Sequence, residues 1–243
     1  MRDGAGDGGA LGEGVAGNGG GSPPIVADGP LARRDAAAIL EQGGVVAIPT
    51  DTVYGIAADL RLPGSIERLF AAKRRPPEKA VALLLADAEQ AAVLGIVNEA
   101  ARLLGERFWP GGLTLVLSAR PDAALPPVLA AGRPTVGLRV PDHPCPRELA
   151  RRLGPLPTTS ANLSGEPDAR DAQEIARRLG DALALVIDGG STRGGPGSSV
   201  VDCTGGRPRL LRSGAIPPAQ LAAVLDTAGI EHELLEPPGS DSP

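Results

Sequence analysis

Short apolar runs that stop at clusters of hydroxyl, amide and basic side chains recur along this chain, and they constrain its fold more than any other feature. The clusters read PTDTVYG at 49–55, KRRPPEK at 73–79, TVGLRVP at 135–141, TTSANLSG at 158–165, PGSSVVD at 196–202 and LLRSG at 210–214. Apolar runs this short are strands of a buried sheet, and polar residues just past strand ends line a common crevice. Hydroxyls, amides and cations grip a polyanion and a small polar molecule. They do not build a metal hydrolase or a redox centre, which need clustered His, carboxylate or Cys ligands.

Between these runs the pattern turns helical. Helices are predicted over 30–41, closed by Gly43 and Gly44, and from Ser65 as cap through Ile66, Leu69 and Phe70. Further helices are predicted over 98–107, 146–153 and 217–226, and a capping box of Asp171 and Glu174 opens another that ends at Leu179. Strands are predicted at 45–48, 81–85, 113–117, 136–140, 182–187, 199–203 and 209–211. This irregular interleaving favours one α/β domain on a mixed sheet over a βαβ series. With 42% hydrophobic but only 2% aromatic residues, Ala, Val and Leu must fill the core around Phe70, Phe108, Trp109 and Tyr54. Residues 1–24, mostly Gly with scattered acids, are read as a disordered tail, the domain as 28–226, and 236–243 as a second loose tail. Gly4, Gly6 and Gly9 match a dinucleotide-loop spacing, but that spacing has meaning only between a strand and a helix, and here it has neither.

A formal net charge of -5 argues against a dedicated nucleic-acid coat, while leaving room for a local basic cleft. Cys145 and Cys203 are the only cysteines, no apolar stretch approaches the roughly 20 residues of a bilayer span, and the N-terminus lacks a signal-peptide pattern. A soluble cytoplasmic protein with reduced thiols is expected. With His143 and His232 as the only histidines, a Ser–His–Asp hydrolase is disfavoured; His143, between Asp142 and Pro144, reads as a turn residue sooner than as a general base.

The remaining candidates each have two readings. Lys73 and Arg75 end a helix, Pro76 and Pro77 fix the exit of the chain, and Lys79 follows; the cations grip phosphate, or they merely favour a helix C-terminus. Thr158, Ser160 and Asn162 bond a ribose or phosphate, or they turn on their own backbone. Arg139 is a charge inside an apolar strand and needs a partner: Asp142, Asp59, or a substrate carboxylate. Arg212 poses the same question. The Gly-rich loop at 189–197, with Ser198 and Ser199, brings amides to an anion or is a plain connection.

Taken in order, PTDTVYG, Lys73-Arg74-Arg75-Pro76, FWPGGLTLVL, VGLRVPDHP, TSANLSG, SSVVD and LLRSGAI resemble the motifs of the threonylcarbamoyl-AMP synthase family, the YrdC-type domain, over residues 28–226. The resemblance implies a twisted mixed α/β sheet with flanking helices around a large basic cavity. It implies formation of threonylcarbamoyl-AMP and pyrophosphate from L-threonine, bicarbonate or CO2, and ATP, for threonylcarbamoyladenosine modification of tRNA. Matched by position, Lys73 and Arg75 fall at the catalytic cations, and Arg75, Lys79, Thr135, Ser160, Asn162 and Arg212 at nucleotide contacts. Thr52, Arg139, Thr158 and either Ser198 or Ser199 fall at L-threonine contacts. Three positions depart from the pattern: Leu84 stands where some relatives carry His, Lys79 where many carry Asn, and Asp168 where Ser often meets the nucleotide. The chain resembles the single-domain form.

The implied mechanism has the threonine amine take up CO2, after which a carbamate oxygen attacks the α-phosphate. The protein aligns the reactants and neutralises charge, with Mg2+ accompanying ATP and no protein metal site implied. Implied partners are the tRNA-modifying transferase proteins that use the product, with room for weak tRNA binding and none for a membrane. The rival from another class is an RNA-binding module of the same fold without synthase activity, against which the acidic balance and sparse aromatics count. Carbamoyl transfer of the hydrogenase-maturation kind needs zinc segments that two isolated Cys cannot build. A paralogue with another substrate is the third rival.

Overall fold

The computed structural model describes residues 22–74, 76, 78–192 and 195–235. The expectations for 1–21 and 236–243, and the one for Arg75, lie outside the described residues. In chain order the elements are β1 (Ile25–Ala27), α1 (Pro30–Glu41), β2 (Val46–Ile48), β3 (Gly55–Ala57), α2 (Ser65–Lys73), β4 (Ala82–Leu84), α3 (Glu89–Leu94), α4 (Glu99–Phe108) and β5 (Leu113–Ser118). They continue with β6 (Thr135–Arg139), α5 (Pro144–Leu153), β7 (Leu156–Ser160), α6 (Ala172–Leu179), β8 (Leu185–Asp188), β9 (Ser199–Asp202), β10 (Arg209–Arg212) and α7 (Pro218–Thr227). The strands form one mixed sheet in the order β1-β8-β2-β3-β7-β4-β6-β5-β9-β10. The pairs β1–β8, β8–β2, β4–β6 and β5–β9 are parallel and the others antiparallel.

Side chains alternate across a strand, so the sheet divides the core in two. On one face Ile56, Leu83, Leu115, Leu138, Val201 and Leu210 pack beneath α2, α4, α6 and α7 through residues such as Leu69, Leu104, Ile175 and Leu225. On the other face Val46, Ile48, Leu84, Leu156, Leu185 and Ile187 pack beneath α1 and α5 through Leu40 and Leu149. No residue of β5, β6, β9 or β10 belongs to this second cluster. Half of that face therefore carries no apolar helix packing among the described residues. Both cysteines are buried, and burial pushes both thiols up, Cys203 to about 12, so neither is a nucleophile.

Local chemistry explains where the elements begin. Asn98 caps α4, its Oδ1 accepting from the Ala101 N–H at 2.9 Å. Asp171 accepts from the Glu174 N–H at 2.7 Å, while the Glu174 carboxylate takes the Arg170 N–H, one residue earlier than a standard capping box has it. Ser65 does not cap α2: Gly64, with φ 74, holds that place, and the Ser65 hydroxyl donates to the Asp59 carbonyl. The strand expected at 182–187 starts later, because Gly180–Ala182 forms a 3-10 turn. Strands β1, β3 and β7 and helix α3 are additions to the expected elements.

One glycine is required by close approach. A Cβ at Gly214 would run into the Gly197 carbonyl oxygen and the backbone of Ser198 and Ser199. Backbone cannot swing aside as a side chain can, so Gly214→Ala should destabilise the fold by roughly 2–4 kcal/mol. Urea unfolding measures this, and a change below about 0.5 kcal/mol would mean that the contact yields.

Candidate functional site

Strand register gathers the candidate residues on the half-face that α1 and α5 leave uncovered. Leu156 pairs with Leu84, Leu84 with Arg139, Thr114 with Val200, and Val200 with Arg212, which makes one transverse row. The next row holds Thr158, Ala82, Gly137 and Val116. Beyond it lie Ser160 at the end of β7 and Thr135 at the start of β6. Successive rows are about 7 Å apart along the strands and adjacent strands about 5 Å apart. Small Ala82 and Gly137 thus floor a patch whose edges are polar. Gly55 keeps that patch open, since a Cβ there would fall 2.6 Å from Thr158 Cγ2.

Arg212 reaches this face because of a bulge. Leu210 pairs with Val201, yet Arg212 rather than Leu211 pairs with Val200. Without the extra residue the alternation would turn Arg212 to the helix-covered side.

Arg139 is 6% exposed and its guanidinium is held from three segments. Nε donates to the Gly111 carbonyl at 3.0 Å, Nη1 to Thr52 Oγ1 at 3.0 Å and Nη2 to Asp51 Oδ1 at 2.7 Å. Its protein partner is therefore Asp51. The alternatives Asp59 and Asp142 fail for visible reasons: Arg61 takes the Asp59 carboxylate, and Asp142 contributes its backbone N–H to Asp51. Thr114 Oγ1 lies 2.7 Å from Ser198 Oγ, and Arg212 donates to the Ser198 carbonyl through Nε at 3.0 Å and Nη2 at 2.9 Å. The Ser199 hydroxyl is engaged elsewhere, donating to the Ile216 carbonyl and accepting from the Ile216 N–H. Of the two serines, only Ser198 bonds Arg212.

Burial lowers the Arg139 pKa, with Asp51 opposing and nearby Arg212 adding to the fall. Arg212 is also lowered by its surroundings, against the pull of Asp168, although its surface remains open to solvent. Both guanidiniums stay charged. Two partly desolvated cations in mutual range, with one carboxylate between three segments, form a site that gains from an anion.

A second cluster sits where β7 ends. Lys73 is 2% exposed, and its Nζ lies 3.2 Å from Thr159 Oγ1, 2.7 Å from the Ser160 carbonyl, 3.0 Å from Ser160 Oγ and 2.9 Å from Asn162 Oδ1. The Ser160 hydroxyl donates to Asn162 Oδ1 at 2.6 Å, and the Ser164 N–H bonds the Lys73 carbonyl at 3.1 Å. Thr158 Oγ1 donates to the Leu156 carbonyl at 3.0 Å. Lys79 is half-buried in the turn after Pro76.

Asp51 and Thr114 escaped the reading from sequence. Asp51 lies inside PTDTVYG, one residue before Thr52, where its acidity was a signal. Thr114 interrupts the apolar run of β5 with a buried hydroxyl. Leu84 is buried beside Arg139 and packs into the core under α5. His143 caps α5, its Nδ1 accepting from the Cys145 N–H at 3.2 Å, and burial lowers its pKa. Tyr54 ties PTDTVYG to the 188–190 turn by donating to the Gly190 carbonyl at 2.7 Å. A cavity of about 270 Å³ lined by Val53, Asp168, Ala169, Arg170, Thr192 and Gly195 adjoins these groups. A larger one, about 720 Å³, opens between α4 and α7 and is lined by none of the candidate residues.

Comparison with known proteins finds relatives of this sequence and fold. A family model described as "Telomere recombination", for the Sua5, YciO and YrdC proteins, matches residues 38–214. A Bacillus subtilis protein named threonylcarbamoyl-AMP synthase is 41% identical over 201 residues, 82% of this chain and 58% of its own. A Mycobacterium tuberculosis relative is 38% identical over 189 residues, 76% of this chain and 85% of its own. The solved structure of P. abyssi Sua5 complexed with L-threonine superposes with a TM-score of 0.78 at 35% identity, covering 86% of this chain and 62% of that one. The chain thus spans little more than half the length of the B. subtilis relative. From the match over 38–214 and the shared mixed sheet, the chain belongs to the Sua5/YciO/YrdC family, which includes threonylcarbamoyl-AMP synthases.

Proposed function

We propose that this chain is an L-threonylcarbamoyladenylate synthase, a nucleotidyltransferase that converts L-threonine, bicarbonate or CO2, and ATP to threonylcarbamoyl-AMP and pyrophosphate. The observation that carries this reading is the row of Arg139, Thr114 and Arg212 on an uncovered half-face, joined to Thr52 and Ser198. Arg139 offers a carboxylate its remaining N–H donors, while Thr52, Thr158 and Ser198 suit the rest of L-threonine. Arg212, Lys79, Thr135, Ser160 and Asn162 suit a nucleotide, with Arg75 assigned there on its motif alone. Magnesium belongs to this reading as the companion of ATP, entering with the substrate as Mg·ATP.

The chemistry asked of the protein is alignment and charge neutralisation. The carbamate oxygen formed on the threonine amine attacks the α-phosphate, and charge shifts to the departing pyrophosphate. Preorganised cations in a partly desolvated site stabilise that shift without reorganising. The product would pass to transferase proteins that modify tRNA in the cytoplasm, and weak tRNA contact belongs to the same reading. No described helix is long and apolar enough to cross a membrane.

Purified protein with ATP, magnesium and labelled bicarbonate, with and without L-threonine, tests this. Threonine-dependent pyrophosphate release with an adenylated, labelled product is the expected result. Tight, salt-sensitive RNA binding with no threonine-dependent turnover would favour the RNA-binding module instead.

A further inference from the structure

We infer that Asp51 reads the α-ammonium group of the amino-acid substrate while it fixes Arg139 for the α-carboxylate; this rests on the synthase reading. A guanidinium has five N–H donors. Arg139 gives one from each nitrogen to Gly111, Thr52 and Asp51, which leaves one on Nη1 and one on Nη2, a pair matched to a carboxylate. The Asp51 carboxylate is used from one side only. Its Oδ1 accepts from Arg139 Nη2 at 2.7 Å and from the Asp142 N–H at 3.1 Å, and among the described residues Oδ2 has no hydrogen bond. The pair is not sealed, with the Asp51 side chain 16% exposed and that of Arg139 7%.

Electrostatics then requires a reader for the amine. An α-amino acid carries its two charges one carbon apart. A site that took the carboxylate on Arg139, within range of Arg212, would set the ammonium beside two cations. Thr52 and Ser198 offer hydroxyls, which carry no charge to offset this. Asp168 acts on Arg212, and Asp142 offers Asp51 its backbone N–H. Asp51 is the carboxylate in contact with Arg139. The adjacent opposite charges of Arg139 and Asp51 mirror those of the zwitterion, so each pole of the substrate meets its complement. Asp51 is thereby a substrate-specificity residue that selects amino acids over hydroxy acids.

Calorimetric binding to the full chain separates this from a purely structural role. The probes are L-threonine and its 2-hydroxy analogue, in which a hydroxyl replaces the α-ammonium. The proteins are wild type and Asp51→Asn, which retains an oxygen for Arg139 and loses the charge. Wild type should prefer L-threonine by about 30-fold or more, and Asp51→Asn should cut that preference to about threefold or less. If Asp51 only orients Arg139, the variant weakens both ligands by the same factor and leaves their ratio unchanged, which overturns the inference. Should Asp51→Asn not fold, Asp51→Ser, which also keeps an oxygen and loses the charge, is read by the same two outcomes, and a wild-type ratio near unity overturns the inference without any variant. A wild type that binds L-threonine without preference defeats only this inference. One that binds no L-threonine defeats the synthase reading, and the inference with it.

Discussion

Replacing Arg139 by Met should raise KM for L-threonine by about 100-fold or more, with KM for ATP changed by less than about threefold. The side chain is the hub of three segments: the Gly111 carbonyl, the Thr52 hydroxyl and the Asp51 carboxylate all point at it. Met fills much of the volume but gives none of them a donor. Asp51 keeps only the Asp142 N–H, and an unpaired, mostly buried carboxylate costs about 3 kcal/mol of stability. Arg139→Lys should not rescue the enzyme, because one ammonium cannot copy a planar fork spread over three acceptors. Steady-state kinetics with each substrate varied in turn, beside a urea melt, checks both parts. Equal rises in both KM values would point to collapse of the whole face, and an unchanged KM for L-threonine would remove Arg139 from that subsite.

What the sequence revealed and what it hid divide along a physical line. Helix α1 is found at its expected bounds, and β5, α4 and α7 within one residue, because periodicity and punctuation are local. Strand β3, Gly55–Ala57, has three residues and starts on the last residue of PTDTVYG, so it is too short for any alternation to announce it. Strand β7 was hidden by its own composition: Thr158 and Ser160 read as ligand contacts or as a turn and not as a strand, yet their backbones pair with β3 and β4. The strand escaped notice for a physical reason, since a strand facing an uncovered patch has no need of apolar side chains there. The charge partner of Arg139 was equally invisible. Asp59 and Asp142 were no farther along the chain than the true partner by any rule of spacing, and only the sheet brings residue 51 to residue 139. The bulge that aims Arg212 leaves no mark in LLRSG. The motifs supplied the candidate residues, and topology decided which of them meet.

Lys73→Met should abolish turnover to below about 1% and lower stability by roughly 3 kcal/mol, with both effects arising from one cause. An ammonium has three N–H donors. Four acceptors of Thr159, Ser160 and Asn162 crowd Nζ at 2.7–3.2 Å, so its hydrogen bonds organise the 159–162 segment, and on the proposed reading its charge serves the nucleotide. The Met variant leaves a buried carbonyl, two hydroxyls and an amide oxygen without that donor. Ser160 and Asn162, assigned to ATP, would then lose the geometry that their role depends on. Lys73→Arg should fold better than Met yet stay impaired, because a planar group cannot point at acceptors arranged around a compact charge. The decisive measurement is ATP affinity against stability across Met, Arg and wild type. If Lys73 acts through the segment, affinity and stability fall together in the two variants. Loss of turnover with stability intact would instead make Lys73 a direct phosphate ligand that trades its present partners for the substrate, and Ser160→Ala would then cost little.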